Sequence, residues 1–133
     1  MNIPSAKSLR ICVVENNADT RFMLNVLLTQ HGHEVALSDC FNGARDLLQK
    51  QDFDVLISDI GLPDGNGWQL LEDVAQRQPQ MFAIAISGYG TTADQARSRA
   101  SGYRYHLVKP VAFASIAPLL REAAEGSGLR LPN

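Results

Sequence analysis

The sequence is poor in the features that mark several protein classes. It has only two cysteines, Cys12 and Cys40, and they form no ligand-like spacing. Cys12 lies inside an apolar run, which favours a reduced, buried thiol over a disulfide. Charge is nearly balanced, with a formal net charge of −2 over 133 residues. Without a broad basic surface, direct nucleic-acid binding is not expected. No apolar run approaches the length needed to span a bilayer, and the opening "MNIPSAKSLR" lacks the hydrophobic centre of a signal peptide. A cytoplasmic chain with no membrane partner is the expectation.

What is present suits one domain with a real core. Apolar residues make up 45% and charged residues 20%, an ordinary globular balance. Five short apolar runs stand out: "LRICVV" at 9–14, "HEVALS" at 33–38, "FDVLIS" at 53–58, "MFAIAIS" at 81–87 and "YRYHLV" at 103–108. Near-continuous apolar runs of this length suit strands covered on both faces of a parallel sheet. Between them lie amphipathic stretches at 18–31, 42–50, 67–78, a more polar one at 91–101, and a last one at 112–125. Phe22, Met23, Val26 and Leu27 recur at helical spacing, and Gly32 follows as a stop signal. Pro118 falls inside the last stretch and is expected to bend that helix or delay its start. Five strand–helix units give an α/β fold, and right-handed crossovers leave few topologies. The expectation is a flavodoxin-like (βα)5 fold, a parallel five-stranded sheet of order 2-1-3-4-5 with helices on both faces. The domain is placed at 9–125, with an N-terminal extension at 1–8 and a linker-like C-terminal tail at 126–133.

The stretch "DVLISDIGLPDGNGW" at 54–68 carries an acid, Asp59, where an apolar strand ends and a turn begins. Taken alone, Asp59 could be a mere turn residue. The other strand ends change the weighing. Glu15 and Asn16 follow the first strand, Ser87 the fourth and Lys109 the fifth, so all share the edge where doubly wound sheets bind ligands. Desolvated acids are costly unless a cation or Lys109 compensates. Hard oxygen ligands there suit Mg²⁺, with Glu15, Asn16 and Asp59 as candidate metal ligands. An anionic nucleophile, a metal site, a hydroxyl and an ammonium together fit phosphoryl transfer to a carboxylate.

These motifs resemble the response-regulator receiver domains of two-component signalling. The resemblance rests on "VVENN" after the first strand, "SDIGLPDGNG" with Pro63 and Gly67 after Asp59, "AISGYG" after the fourth strand and "HLVKP" after the fifth. It covers roughly Leu9 to Glu125, and the wording of "SDIGLPDGNGW" and "YHLVKPV" is most similar to receivers of hybrid sensor kinases. The resemblance implies that Asp59 accepts phosphate from a sensor histidine kinase or a histidine phosphotransfer protein. It implies that Ser87 bonds the phosphoryl group, that Lys109 pairs with it, and that Ser87 and His106 form a switch. The face made by the fourth helix, fifth strand and fifth helix would then change its surface, with a homodimer as one candidate partner. The chain would be a signalling domain and not an enzyme, taking part only in its own phosphorylation and dephosphorylation.

Three departures accompany the resemblance. Asn16 stands where most family members carry an Asp on the metal. His106 stands where Tyr or Phe is common. Gly61 and Tyr89 hold positions that tune phosphoryl lifetime in the family. Asn16 keeps a second reading open, a pseudo-receiver that binds a partner independently of phosphorylation. A flavin- or nucleotide-binding enzyme on the same fold is a third reading, disfavoured by the site residues. "GYGTTA" at 88–93 matches a dinucleotide fingerprint but lies in the fourth unit with no acid at the required distance. "DGNG" at 64–67 fails as a calcium loop, because Trp68 occupies a ligand place. His31 and His33 flank Gly32 and read as a solvated turn, and Trp68 as a core or half-buried anchor.

Overall fold

Alternating side chains build the core on both sides of one sheet. The computed structural model describes residues 8–129. The strands and helices are β1 (Arg10–Val14), α1 (Ala18–Gln30), β2 (Glu34–Ser38), α2 (Phe41–Lys50), β3 (Val55–Asp59), β4 (Gly61–Leu62), β5 (Gly65–Asn66), α3 (Gly67–Val74), β6 (Phe82–Ser87), α4 (Thr92–Ser101), β7 (Tyr105–Val108) and α5 (Phe113–Leu129). Five strands pair in parallel in the order β2-β1-β3-β6-β7. Counted without the short β4–β5 hairpin, that is the expected 2-1-3-4-5.

Successive residues of a strand point to opposite faces. Ile11, Val13, Val55, Ile57, Ile84 and Ile86 therefore meet Leu24 and Leu28 of α1 and Ile116 and Leu120 of α5. Cys12, Val14, Leu56, Ala83 and Ala85 face the other way, against Ala44 and Leu48 of α2 and Leu70, Leu71 and Val74 of α3. Cys12 and Cys40 are both free thiols, and burial pushes Cys12 up to about 12. Helix α4 contributes no side chain to either apolar cluster among the described residues. Its buried residues are Ser98 and Ser101, so hydrogen bonds, not apolar burial, hold its inner face.

Several element bounds differ from the sequence reading, each for a local reason. The loop after Asp59 folds into the antiparallel β4–β5 hairpin, which a run of glycines and acids did not announce. Helix α3 ends at Val74, four residues short of expectation. Pro79 follows, and a residue before proline is steered away from the helical region. Gln78, at the end of the turn, is buried, its side chain bonded to the Leu48 and Gln51 carbonyls and to the Phe53 amide. Helix α5 starts at Phe113 and runs through Pro118 to Leu129, so the proline does not delay the start. The helix also extends into the stretch read as a tail. Residues 1–7 of the expected extension and 130–133 of the tail lie outside the described residues.

Candidate functional site

The carboxyl ends of the central strands converge at one edge, held by backbone bonds that leave little play. The Glu15 amide donates to the Ser38 carbonyl at 3.0 Å, the Ile60 amide to Ile86 at 2.9 Å, and the Lys109 amide to Ser87 at 2.8 Å. Asp59 is the last residue of β3 and only 3% exposed. One carboxylate oxygen, Oδ2, accepts from the Asn16 amide at 2.9 Å. The other, Oδ1, pairs with the Lys109 ammonium at 2.9 Å. Lys109 also donates to Glu15 Oε2 at 3.1 Å, and the same oxygen accepts from the Asn17 amide at 2.9 Å. Glu15, Asn16, Asp59 and Lys109 are therefore brought together. Asn16 enters through its backbone, while its side chain is exposed. Helix α1 is capped by Asn17, which accepts from the Thr20 amide at 2.9 Å.

Two buried carboxylates side by side set the electrostatics. Burial first, then the neighbouring Asp59 carboxylate, raises the Glu15 pKa above its ordinary value. Burial alone would lower Lys109, but Asp59 and Glu15 outweigh it and hold the ammonium above its ordinary range. Glu15 Oε1 is buried without a partner, and Asp59 Oδ1 has only the Lys109 ammonium. An orphaned buried oxygen is uncommon and calls for a cation or a ligand. Two such carboxylates fit Mg²⁺, which takes one or two carboxylates and completes its shell with waters and phosphate oxygens. Among the described residues no group of three His, Cys, Asp or Glu side chains forms a metal cluster, in keeping with an amide at Asn16.

Ser87, at the end of β6, makes no side-chain hydrogen bond to Asp59. Its hydroxyl bonds to His106 Nε2 at 2.8 Å and to the Tyr89 carbonyl. Beside it a cavity of about 270 Å³ is lined by Asp59, Trp68, Ser87, Tyr89, His106 and Lys109, among others. Trp68 is half-buried and donates its indole N–H to Ser98 Oγ at 2.9 Å. Tyr89 is 77% exposed.

A family profile for the response regulator receiver domain matches residues 11–121. The chain belongs to the response regulator receiver domain family. It is 30% identical over 121 residues to the response regulator protein PilR of Pseudomonas aeruginosa, covering 91% of this chain and 26% of that protein. It thus spans about a quarter of that relative's length. Its fold is similar to a response regulator of Burkholderia pseudomallei with a phosphorylated aspartic acid, calcium ion and citrate. The TM-score is 0.79 at 22% identity, over 90% of this chain and 71% of that one. It is also similar in fold to the receiver domain of the sensor histidine kinase PA1611 of Pseudomonas aeruginosa, with magnesium in its active-site cleft. There the TM-score is 0.79 at 20% identity, over 90% of this chain and 99% of that one.

Several residues that shape this receiver domain's site carry no local sequence signal. Arg21 donates to the Glu15 carbonyl at 2.8 Å, one helical turn into α1. Asp64, in the β4–β5 turn, accepts from the amides of Phe41 at 2.6 Å and Asn42 at 3.0 Å. Those two amide bonds hold the Asp64 carboxyl below its ordinary range, as expected at a helix N-terminus. The hairpin after Asp59 is thereby pinned to α2. Gly67, eight residues past Asp59, is required by space. A Cβ there would lie 2.5 Å from the Asp59 carbonyl oxygen. Gly61 has open space around it, so packing does not require a glycine there.

Proposed function

We propose that this receiver domain accepts a phosphoryl group on Asp59 from the phosphohistidine of a sensor histidine kinase or a histidine phosphotransfer protein, and changes its partner affinity as a result. The observation that carries this reading is the state of the Asp59 carboxylate. It is buried at a strand end, paired with Lys109 and the Asn16 amide, and lies beside the buried Glu15 carboxylate, whose Oε1 has no partner.

In the transfer, the Asp59 carboxylate attacks phosphorus in line with the departing imidazole nitrogen. A P–O bond forms, the P–N bond breaks, and the leaving imidazole keeps the electron pair. The Asn16 amide fixes the carboxylate's orientation. Lys109 lies over Oδ1 in the unphosphorylated protein, and must swing from the carboxylate to the incoming phosphoryl oxygens. Its stem is long enough for that, and the charge pairing is kept. Glu15, Asp59 and Asn16 would hold Mg²⁺; bound there it offsets charge on the phosphoryl oxygens. The hydroxyl of Ser87 supplies one further donor once it leaves its present partners. The phosphorylated aspartic acid and the magnesium of the two similar structures support the same reading.

The domain then acts as a signal carrier in the cytoplasm and not as an enzyme with a turned-over substrate. Its output surface is the face of α4, β7 and α5, which also serves as the candidate homodimer contact. Asn16 favours one second reading, a pseudo-receiver that binds its partner without phosphate. Incubation with phosphoramidate and Mg²⁺, followed by intact mass, separates the two. The phospho-acceptor reading expects one added phosphoryl group in the native chain and none in Asp59→Asn. A folded chain that stays unmodified overturns it in favour of the pseudo-receiver.

A further inference from the structure

Four polar side chains from four different elements form one continuous chain of hydrogen bonds away from the phosphorylation site. Ser87 Oγ meets His106 Nε2 at 2.8 Å, His106 Nδ1 meets Ser98 Oγ at 2.7 Å, and Trp68 Nε1 meets Ser98 Oγ at 2.9 Å. Donor and acceptor counting fixes the direction of the protons. An indole nitrogen only donates, so the Ser98 oxygen accepts from Trp68. The Tyr89 carbonyl only accepts, and both Ser87 Oγ and His106 Nε2, the latter at 3.2 Å, point at it. The arrangement that satisfies every group runs one way: Trp68 N–H to Ser98, Ser98 O–H to His106 Nδ1, His106 Nε2–H to Ser87, and Ser87 O–H to Tyr89. Ser98 gives one bond and takes one, while Ser87 gives one and takes two, the second from the Tyr89 amide at 3.2 Å, so the links reinforce each other.

We propose that Ser98 and Trp68 are positioning residues for the switch, and that Ser87 is released to a phosphoryl group only by breaking this chain at His106. The proposal rests on the phospho-acceptor reading of Asp59. Ser87 has a single proton, and it is committed to the Tyr89 carbonyl. To donate to a phosphoryl oxygen its proton must leave the Tyr89 carbonyl, and carrying Oγ toward Asp59 draws it away from His106 as well. That exchange is favourable, because a bond to a charged oxygen is roughly twice as strong as a neutral one. His106 Nε2–H then keeps only the Tyr89 carbonyl, and its hold on Ser98 changes. A Phe or Tyr ring at this position cannot join two hydroxyls through opposite ring atoms, so this linkage is a property of the histidine.

Helix α4 is where the break is felt. Its buried serines make polar contacts, with Ser98 bonded as above and Ser101 donating to Glu72 Oε2 at 3.0 Å. With no apolar side chain in either core cluster, losing the Ser98 link removes one of few ties on its inner face. Trp68 lies at the end of the chain with the Arg97 guanidinium 4.8 Å from its ring centre. It bridges α3 and α4 and is the only tryptophan of the sequence, so the relay ends in its own fluorophore.

The test has a static and a dynamic arm on the full chain. In the unphosphorylated protein, imidazole nitrogen shifts of His106 should report protonated Nε2 and bare Nδ1. Ser98→Ala should move the Nδ1 resonance and the Trp68 indole proton, and Ser98→Thr should restore both. Shifts that do not respond to Ser98→Ala overturn the relay, whatever happens at Asp59. In the dynamic arm, beryllofluoride with Mg²⁺ is added, bound fluorine is followed by NMR, and Trp68 emission is read in parallel. The relay predicts an emission change that tracks bound fluorine, is cut at least fivefold in Ser98→Ala and returns in Ser98→Thr. Bound fluorine with flat Trp68 emission refutes the coupling and leaves the phospho-acceptor reading standing. Absence of bound fluorine refutes that reading, and the coupling falls with it.

Discussion

Two glycines follow the proposed phospho-acceptor, and adding one methyl group to each should have unequal consequences. At Gly67 a Cβ would sit 2.5 Å from the Asp59 carbonyl oxygen, against 3.4 Å for ordinary contact, a shortfall of about 0.9 Å. It would also press on Ile60, at 3.1 Å from Cδ1 and 3.2 Å from Cα. The backbone cannot easily yield. The Gly67 amide donates to the Ile60 carbonyl at 2.8 Å, and its carbonyl accepts from the buried Tyr103 hydroxyl at 2.6 Å. Overpacking of this kind costs about 1–3 kcal/mol. Alanine recovers at most about 1 kcal/mol of helix propensity, and less at the first residue of α3. Gly67→Ala should therefore destabilise by about 1–2 kcal/mol, lowering Tm by about 3–10 °C. Because the clash lands on Asp59 itself, its labelling rate should fall on the order of tenfold or more. Gly61 has nothing within 4 Å, so Gly61→Ala should stay within about 0.5 kcal/mol of the native chain. Urea and thermal unfolding, with phosphoryl uptake by intact mass, measure both. Equal stability and equal uptake in the two variants would refute the packing argument.

Three further outcomes are expected. Glu15→Gln removes a buried charge beside Asp59, so metal-free stability should rise by about 1 kcal/mol while Mg²⁺ affinity drops; lower stability with unchanged affinity would contradict this. Asn16→Asp adds an acid beside two carboxylates, and should tighten Mg²⁺ binding to the unphosphorylated protein on the order of tenfold by calorimetry; equal affinity would place residue 16 away from the metal. His33 is held below its ordinary 6.5, first by burial and then by His31, and its Nδ1 accepts from the Leu9 amide at 3.1 Å. The folded state prefers the neutral ring, so the unfolded chain takes up a proton first on acidification. The stabilising contribution is present above 6.5 and is lost as pH falls below it. Unfolding free energy should therefore decline more steeply from about pH 7.5 to about 5.5 in the native chain than in His33→Asn. Parallel slopes would remove His33 from that role.

The sheet and the site's membership were legible because both are written in strand ends. Apolar runs of strand length alternate with helical patterns, and a parallel sheet brings every carboxyl end to one edge. Glu15, Asp59, Ser87 and Lys109 could thus be grouped before any distance was known. How they pair was not legible. Asn16 works through its amide, a role no side-chain pattern encodes, and Ser87 faces His106 and not Asp59. Ser98 meets His106 across a helix–strand contact, and Asp64 reaches α2 over 22 residues of chain. Such contacts depend on the packing angle of α4 and on the β4–β5 hairpin, neither of which periodicity defines. Pro118 does not delay the start of α5, for a different reason. Proline removes one intrahelical bond, but Ile116 and Leu120 on either side are buried against the sheet, and that burial sustains the helix.

The central claim, that Asp59 is the phosphoryl acceptor, is tested most directly by trapping the acyl phosphate where it forms. The chain is phosphorylated with phosphoramidate and Mg²⁺, treated with borohydride to reduce the mixed anhydride to an alcohol, and digested for peptide mass mapping. The account predicts homoserine at position 59 and unmodified residues at 15, 64, 87 and 106. Homoserine at another aspartate, or a stable phosphoryl group on Ser87 or His106 with Asp59 intact, would contradict it.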